Sequence, residues 1–167
     1  MHVQLIPIDK QGRALDVSGR LDMHVKQVCK ATAALYRTAG FVAPWIGYLA
    51  VHERQLVGAC AFKSPPVKED DWATVEIGYL TFPKFEGQGI ATEMVRELLN
   101  IAYAARSPMQ PNIVVVAQTE NEDNASNAIL KKFDFDFVGE QRDDGDVVWR
   151  WELGLQPYSS SKDTARG

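Results

Sequence analysis

Cysteine is scarce in this chain: 167 residues hold two, Cys29 and Cys60, and no Cys-x-x-Cys pair. That argues against a thiolate zinc site, and three scattered histidines, His2, His24 and His52, do not supply another, so no metal is expected. Two cysteines without a framework spacing suit a reducing compartment. A basic excess is missing too. Lys and Arg number 18 against 22 Asp and Glu, for a net charge of -4. Non-specific nucleic-acid binding needs a basic face, so that class is disfavoured, whereas an amine substrate is compatible with the balance. No apolar run is long enough to span a bilayer. Met1 to Pro7 lacks a basic n-region and its apolar run is short, so no secretory signal is expected. The expectation is a cytoplasmic protein that binds neither membrane nor nucleic acid.

What is present is an ordinary globular composition, 46% apolar and 24% charged, in a length that suits one domain with a sizeable core. Residues 1–155 are expected to form that domain and 156–167, polar and Ser-rich, a tail. Strands are expected at Val3–Ile8, at Ile46–His52 and Leu56–Lys63 (a hairpin closed by Glu53-Arg54-Gln55), and at Thr74–Phe82. Asn112–Thr119 is apolar throughout, as a strand covered on both faces should be. Phe135–Glu140 and Val147–Leu153 form a last hairpin around Asp143-Asp144-Gly145-Asp146. Helices are expected at Leu21–Ala39 (stopped by Gly40), at Gly89–Ala105 and at Asn124–Phe133. Ser64–Asp71, with two prolines and four charges, reads as a loop.

The richest stretch is Pro83-Lys84-Phe85-Glu86-Gly87-Gln88-Gly89-Ile90-Ala91-Thr92. An apolar strand leads into it and an amphipathic helix leads out, burying Ile90, Met94, Val95, Leu98, Leu99 and Ala102. A glycine turn between strand and helix presents backbone N–H groups at the positive end of the helix dipole, which holds a phosphate or pyrophosphate. Gly87 and Gly89 could also serve tight strand-to-helix packing alone. No Gly-Lys-Ser/Thr is present, so this is not a Walker motif, and the G-x-G-x-A spacing is a poor dinucleotide fingerprint.

The spacing resembles the GNAT N-acetyltransferase superfamily, whose cofactor motif is Q/R-x-x-G-x-G/A after a strand-ending proline. Here Pro83 leads to Glu86-Gly87-Gln88-Gly89-Ile90-Ala91, with Glu86 where Gln or Arg is usual. Asn124-Ala125-Ser126-Asn127-Ala128-Ile129-Leu130-Lys131-Lys132-Phe133-Asp134-Phe135 is similar to that superfamily's N-x-A-S-x-x-x-L-x-K-x-G-F helix, with Asn124 one position off and Asp134 in place of Gly. Val75-Glu76-Ile77-Gly78-Tyr79 and the run Gly145–Leu153 look like the ribosomal-protein N-acetyltransferase branch. By motif order the resemblance covers roughly Pro44 to Leu153.

The resemblance implies a mixed α/β fold of the α+β type, with a central, mostly antiparallel sheet of six or seven strands flanked by helices. It implies acetyl-CoA as co-substrate and direct attack of a primary amine on the thioester. The pantetheine arm would lie along Leu80, Thr81 and Phe82, and a backbone N–H there could stabilise the oxyanion. The pyrophosphate would rest on the amides of the turn Gly87, Gln88, Gly89, Ile90, Ala91 and Thr92, with the Glu86 side chain turned away. Asn124 could bond the pantetheine amide. Glu76 is the candidate general base, acting directly or through water, or else it orients a group at the pocket wall. The second motif's usual Tyr is Leu130 here, so Ser126 is the candidate proton donor to the leaving thiolate, unless it only packs or caps the helix and water donates the proton. The acceptor, a small molecule or a peptide amine, is left open, as are a homodimer and a non-catalytic acyl-CoA-binding sensor module. Trp45, Trp149 and Trp151 could form a substrate wall, with core favoured for at least one of them; the mid-strand Cys60 reads as a small core residue, and Lys68-Glu69-Asp70-Asp71 as a solvated loop.

Overall fold

A computed structural model of the chain describes residues 1–14, 22–122 and 124–157. Leu21 and all but the start of the expected tail lie outside the described residues. In chain order the elements are β1 (Gln4–Pro7), α1 (Met23–Ala39), β2 (Gly47–His52), β3 (Gln55–Phe62), β4 (Val67–Glu69), β5 (Trp72–Thr81), a 3-10 turn (Pro83–Phe85), α2 (Ile90–Ala104), β6 (Ile113–Glu120), α3 (Ala125–Lys132), β7 (Asp136–Asp143) and β8 (Asp146–Gly154). The eight strands belong to one mostly antiparallel sheet, as the mixed α/β expectation required. Two compact units divide the chain: Met1–Pro65 with Ile77–Leu99, and Pro66–Glu76 with Asn100–Gly167.

In the first unit β1, β2, β3 and residues 77–81 of β5 pair in that order, each antiparallel to the next. Asp22 starts α1 because its carboxylate accepts the Val25 N–H at 3.0 Å. Gly40, at φ 95°, ends the helix and returns its N–H to the Tyr36 carbonyl. Val25, Ala33 and Tyr36 are the buried face of the helix. Val25 joins Ile8, Leu49, Ala59 and Phe82 in a core cluster that draws on the helix and on the strands it covers. Cys60, read as core, is buried. Trp45 is buried as well, with its ring edge-on to Phe62 at 5.0 Å.

Tyr36 fastens this core. Its hydroxyl donates to the Ile8 carbonyl and accepts the Gly47 N–H, both at 2.8 Å. Position 47 is tight, since an added Cβ would come 2.7 Å from Thr32 Cγ2 and 3.3 Å from the Tyr36 hydroxyl, so one of them would have to shift. Tyr48 donates to the Pro44 carbonyl at 2.6 Å. Burial pushes both phenols up, Tyr48 to about 12. Folded values above the free phenol's mean that the neutral rings favour the folded state below pH about 10, and that this stabilisation is lost as pH rises through the folded values. Denaturant midpoints are therefore expected to fall between pH about 10 and 12, with a smaller fall in Tyr48→Phe. Tyr36→Phe is expected to lower neutral-pH stability by about 1–3 kcal/mol, because it strands the buried groups that the hydroxyl served.

In the second unit β4 pairs with the start of β5 across the two-residue turn Asp70-Asp71, with Asp70 at φ 52°. This strand raises the count to eight and lies within the stretch Ser64–Asp71 that reads as a loop. All three of its residues are exposed, so no apolar alternation marks it. β6 is covered on both faces, with Ile113, Val115, Val116 and Ala117 buried, and it pairs with β8, which pairs with β7. The β7–β8 turn is Asp144-Gly145, at φ 52° and 87°, the paired left-handed geometry that tight hairpins need. Trp151 is buried and donates its indole N–H to Thr119 Oγ1 at 3.0 Å. Trp149 is half-buried on the same strand face, and Phe137 packs against both rings. Among the described residues no helix is long and apolar enough to cross a membrane.

Candidate active site

The glycine turn lies in the first unit. β5 ends at Thr81, and the next two backbone bonds tie the chain down: the Phe82 N–H donates to the Val57 carbonyl at 2.9 Å, and the Phe85 N–H to the Phe82 carbonyl at 2.8 Å. Pro83–Phe85 makes one 3-10 turn. Gly87 and Gly89 then take φ 75° and 83°, the left-handed region where a side chain is strained. The Gly89 carbonyl accepts the Glu93 N–H at 3.2 Å, so Gly89 caps α2. The N–H groups of Ile90, Ala91 and Thr92 belong to the first turn, which has no carbonyl within its own helix to serve them. A Cβ built on Gly87 or Gly89 would meet nothing within 4 Å. Residues 86–89 are all exposed. The outcome is an open cradle of backbone donors at a helix N-terminus, which fits a diphosphate.

The helix behind the cradle is anchored by Ile90, Met94, Val95 and Leu98, all essentially unexposed; Leu99, expected to be buried, is half-buried. The acid of the first turn, Glu93, is matched by Arg96, whose Nε lies 3.4 Å from its carboxylate. Lys84, in the 3-10 turn, holds its ammonium 5.6 Å from the Phe85 ring centroid. It is a cation close in sequence to the cradle that the motif reading passed over, because the motif's first position falls on Glu86.

Along the strand end the three named residues differ. Leu80 is 55% exposed, an apolar side chain offered to solvent. Phe82 is the reverse: its ring is in the core, stacked 6.0 Å from His24, and both its backbone groups are taken. Phe82 thus anchors the strand end. Since Phe82 points its N–H at β3, period-two alternation turns Leu80 the same way and leaves Tyr79 and Thr81 directing their backbone groups to the opposite edge. Gly58 on β3 makes this approach close, because a Cβ there would lie 2.6 Å from the Leu80 carbonyl oxygen and 3.2 Å from the Met94 side chain. Gly58→Ala is expected to cost about 1–3 kcal/mol in stability, the usual penalty for overpacking. It is also expected to weaken CoA binding, by displacing Leu80 and α2 together; thermal melts and CoA titration check the two effects.

Glu76, Asn124 and Ser126 belong to the second unit. Alternation along β5 sets Glu76, half-buried, on the strand face away from the buried Val75 and Ile77. Asn124 caps α3, its Oδ1 accepting the Asn127 N–H at 3.1 Å. This leaves its Nδ2 as the group that could meet a ligand amide. Ser126 is half-buried in the first turn of α3. Leu130, where the resemblance looks for a tyrosine, is fully buried in the core. Asn127 has no counterpart in the sequence reading. It is fully buried, donates Nδ2 to the Glu122 carbonyl at 2.6 Å, and ties the loop before α3 to the helix. Burial and, secondarily, the Glu97 carboxylate push the Cys60 thiol up, which keeps it a neutral core residue.

A family model described as an acetyltransferase (GNAT) domain matches residues 21–136, a span that runs through both units. The chain belongs to the GNAT acetyltransferase family. A search of curated proteins finds no match. Among solved structures it is similar to a Salmonella typhimurium acetyltransferase that modifies the N-terminal serine of a 50S ribosomal subunit protein, at 18% identity and TM-score 0.57, covering 93% of this chain and 96% of that one. RimL, a ribosomal-protein α-N-acetyltransferase in complex with coenzyme A, is similar at 18% identity and TM-score 0.56, over 91% of this chain and 93% of its own. A microcin self-immunity acetyltransferase in complex with acetyl-CoA and AMP shares 14% identity at TM-score 0.53, over 79% and 71%. At these identities the likeness concerns the fold.

Proposed function

We propose that this GNAT domain transfers an acetyl group from acetyl-CoA to a primary amine by direct attack on the thioester. The carrying observation is the open cradle at Gly87–Thr92, built from left-handed glycines and helix-end amides that an anion would complete. The CoA and acetyl-CoA complexes of fold relatives support the same reading. In this proposal Gln88 to Thr92 carry the diphosphate. The exposed Leu80 and the outward backbone of Thr81 line the pantetheine arm, and the Asn124 amide reaches its carbonyl. Glu76 takes the proton of the incoming amine, and Ser126 or a water returns one to the leaving thiolate. The acceptor class is an amine such as a protein N-terminus, the kind of group that relatives are described as modifying. Two free cysteines fit a cytoplasmic location.

The buried Leu130 favours one other reading, an acyl-CoA-binding module without turnover, since a core leucine at that helix position has no proton to give a thiolate. Thiol release from acetyl-CoA across a panel of peptide α-amines, lysine side chains and polyamines separates the two. Release that depends on the amine supports transfer. CoA binding with no release for any amine establishes the module.

A further inference from the structure

We propose that a cavity of about 720 Å³ in the first unit, walled by the loop after β1 and by α1, binds a small organic anion with an apolar body. That volume suits a small-molecule ligand. Its floor is apolar: Val25, Ala33 and Leu49 are buried, with the half-buried Cys29 beside them. Its rim is basic. Lys26, Lys30 and Arg37 fall at helical spacing along one side of α1, and Arg13 faces them from the loop. Arg13 has a partner, with its Nε 3.8 Å from Asp9 Oδ2. Among the described residues no carboxylate pairs with Lys26, Lys30 or Arg37. Like charges at this spacing repel one another, and here they gather around an apolar hollow on a chain whose net charge is -4. An anionic head among the cations with an apolar body on the floor satisfies both halves of the cavity.

The loop wall is fixed before any ligand arrives. Asp9 Oδ1 accepts the N–H groups of Gln11 and Arg13, each at 2.9 Å, and the Asp9 N–H donates to the Arg13 carbonyl at 2.7 Å. Gly12, at φ 84°, presses so close to α1 that a Cβ would lie 2.7 Å from the Cys29 carbonyl oxygen and 2.9 Å from Ala33 Cβ. Burial first and the Asp9 carboxylate second push the Cys29 thiol up, so the floor adds no negative charge near neutral pH. None of these residues belongs to the turn 86–92, although Ala14, Val25, Cys29 and Leu49 share a core cluster with Phe82 and Phe85 at its entry.

The test uses 8-anilinonaphthalene-1-sulfonate, an anion on an apolar body, titrated by fluorescence into the intact protein with CoA held at saturation. Saturable binding is expected, weakened by salt. It is expected to fall about tenfold or more in the triple variant Lys26→Gln, Lys30→Gln, Arg37→Gln. The neutral analogue N-phenyl-1-naphthylamine should not distinguish that variant from the parent. The bound sulfonate should also slow alkylation of Cys29 by iodoacetamide, a thiol distinguishable from the buried Cys60 by peptide mapping. Should the triple variant melt early, Arg13→Gln on the loop wall reads the same effect. Sulfonate affinity unchanged by these substitutions overturns the proposal, and so does complete displacement of the probe by CoA, which would place it on the cofactor cradle.

Discussion

Replacing Gly89 by valine is expected to weaken CoA binding by about tenfold to a hundredfold, while Gly145→Val leaves it unchanged. The comparison is matched. Both glycines hold left-handed backbone, at φ 83° and 87°, and an added Cβ at either meets nothing within 4 Å. The conformational cost, roughly 1–2 kcal/mol, is therefore similar at the two sites, and comparable losses of stability are expected. The two glycines differ in the groups they position. Gly145 turns a hairpin, whereas Gly89 caps α2 and aims the amides of Ile90, Ala91 and Thr92. Relaxing φ at Gly89 swings those donors, and the isopropyl group occupies the hollow where phosphate oxygens are proposed to sit. Losing one hydrogen bond to a charged oxygen costs about 1.5–3 kcal/mol, which sets the expected range. Calorimetric titration with CoA, beside thermal melts of both variants, reads the two effects separately. Parental affinity in a folded Gly89→Val protein would move the diphosphate to another seat.

This cradle was legible from the amino acids because its geometry demands them. Left-handed backbone nearly requires glycine, so Gly87 and Gly89 mark the turn in one dimension, as Gly40 marks the end of α1 and Asp144-Gly145 the last hairpin. The apolar run in β6 and the stripe on α2 were legible because burial on two faces and on one face write different periods. What stayed hidden depends on partners distant in sequence. β4 is exposed and owes its existence to the edge of β5 beside it, which no local pattern records. Phe82 reads as the end of a cofactor-lining strand, yet Val57, His24 and Phe85 turn it into an anchor. Asn127 carries no local mark of its role, and its burial and its bond to the Glu122 carbonyl emerge only in the fold. The cations of α1 are visible at their spacing, but the wall opposite them comes from a loop whose path Asp9 and Gly12 set.

Glu76→Gln is expected to lower kcat/KM for the amine by about a hundredfold or more near neutral pH, the scale of general-base catalysis. Glutamine keeps the size and the hydrogen-bonding reach of glutamate but accepts no proton. The variant must wait for amine that is already neutral, so its activity should climb with pH toward the acceptor's own pKa, about 8 for an α-amine and about 10.4 for a lysine. The gap between parent and variant should narrow as that value is approached, and the KM for acetyl-CoA should stay near the parent's. A structural role predicts another signature. If Glu76 only orients a neighbour, its replacement disturbs geometry equally at every pH, and the two profiles run parallel. Ser126→Ala supplies the contrast on the leaving-group side: water can return a proton to a thiolate, so a loss under about tenfold is expected there, without a shift in the rising limb. Parallel profiles for Glu76→Gln would remove the carboxylate from proton transfer and leave the amine to arrive already deprotonated.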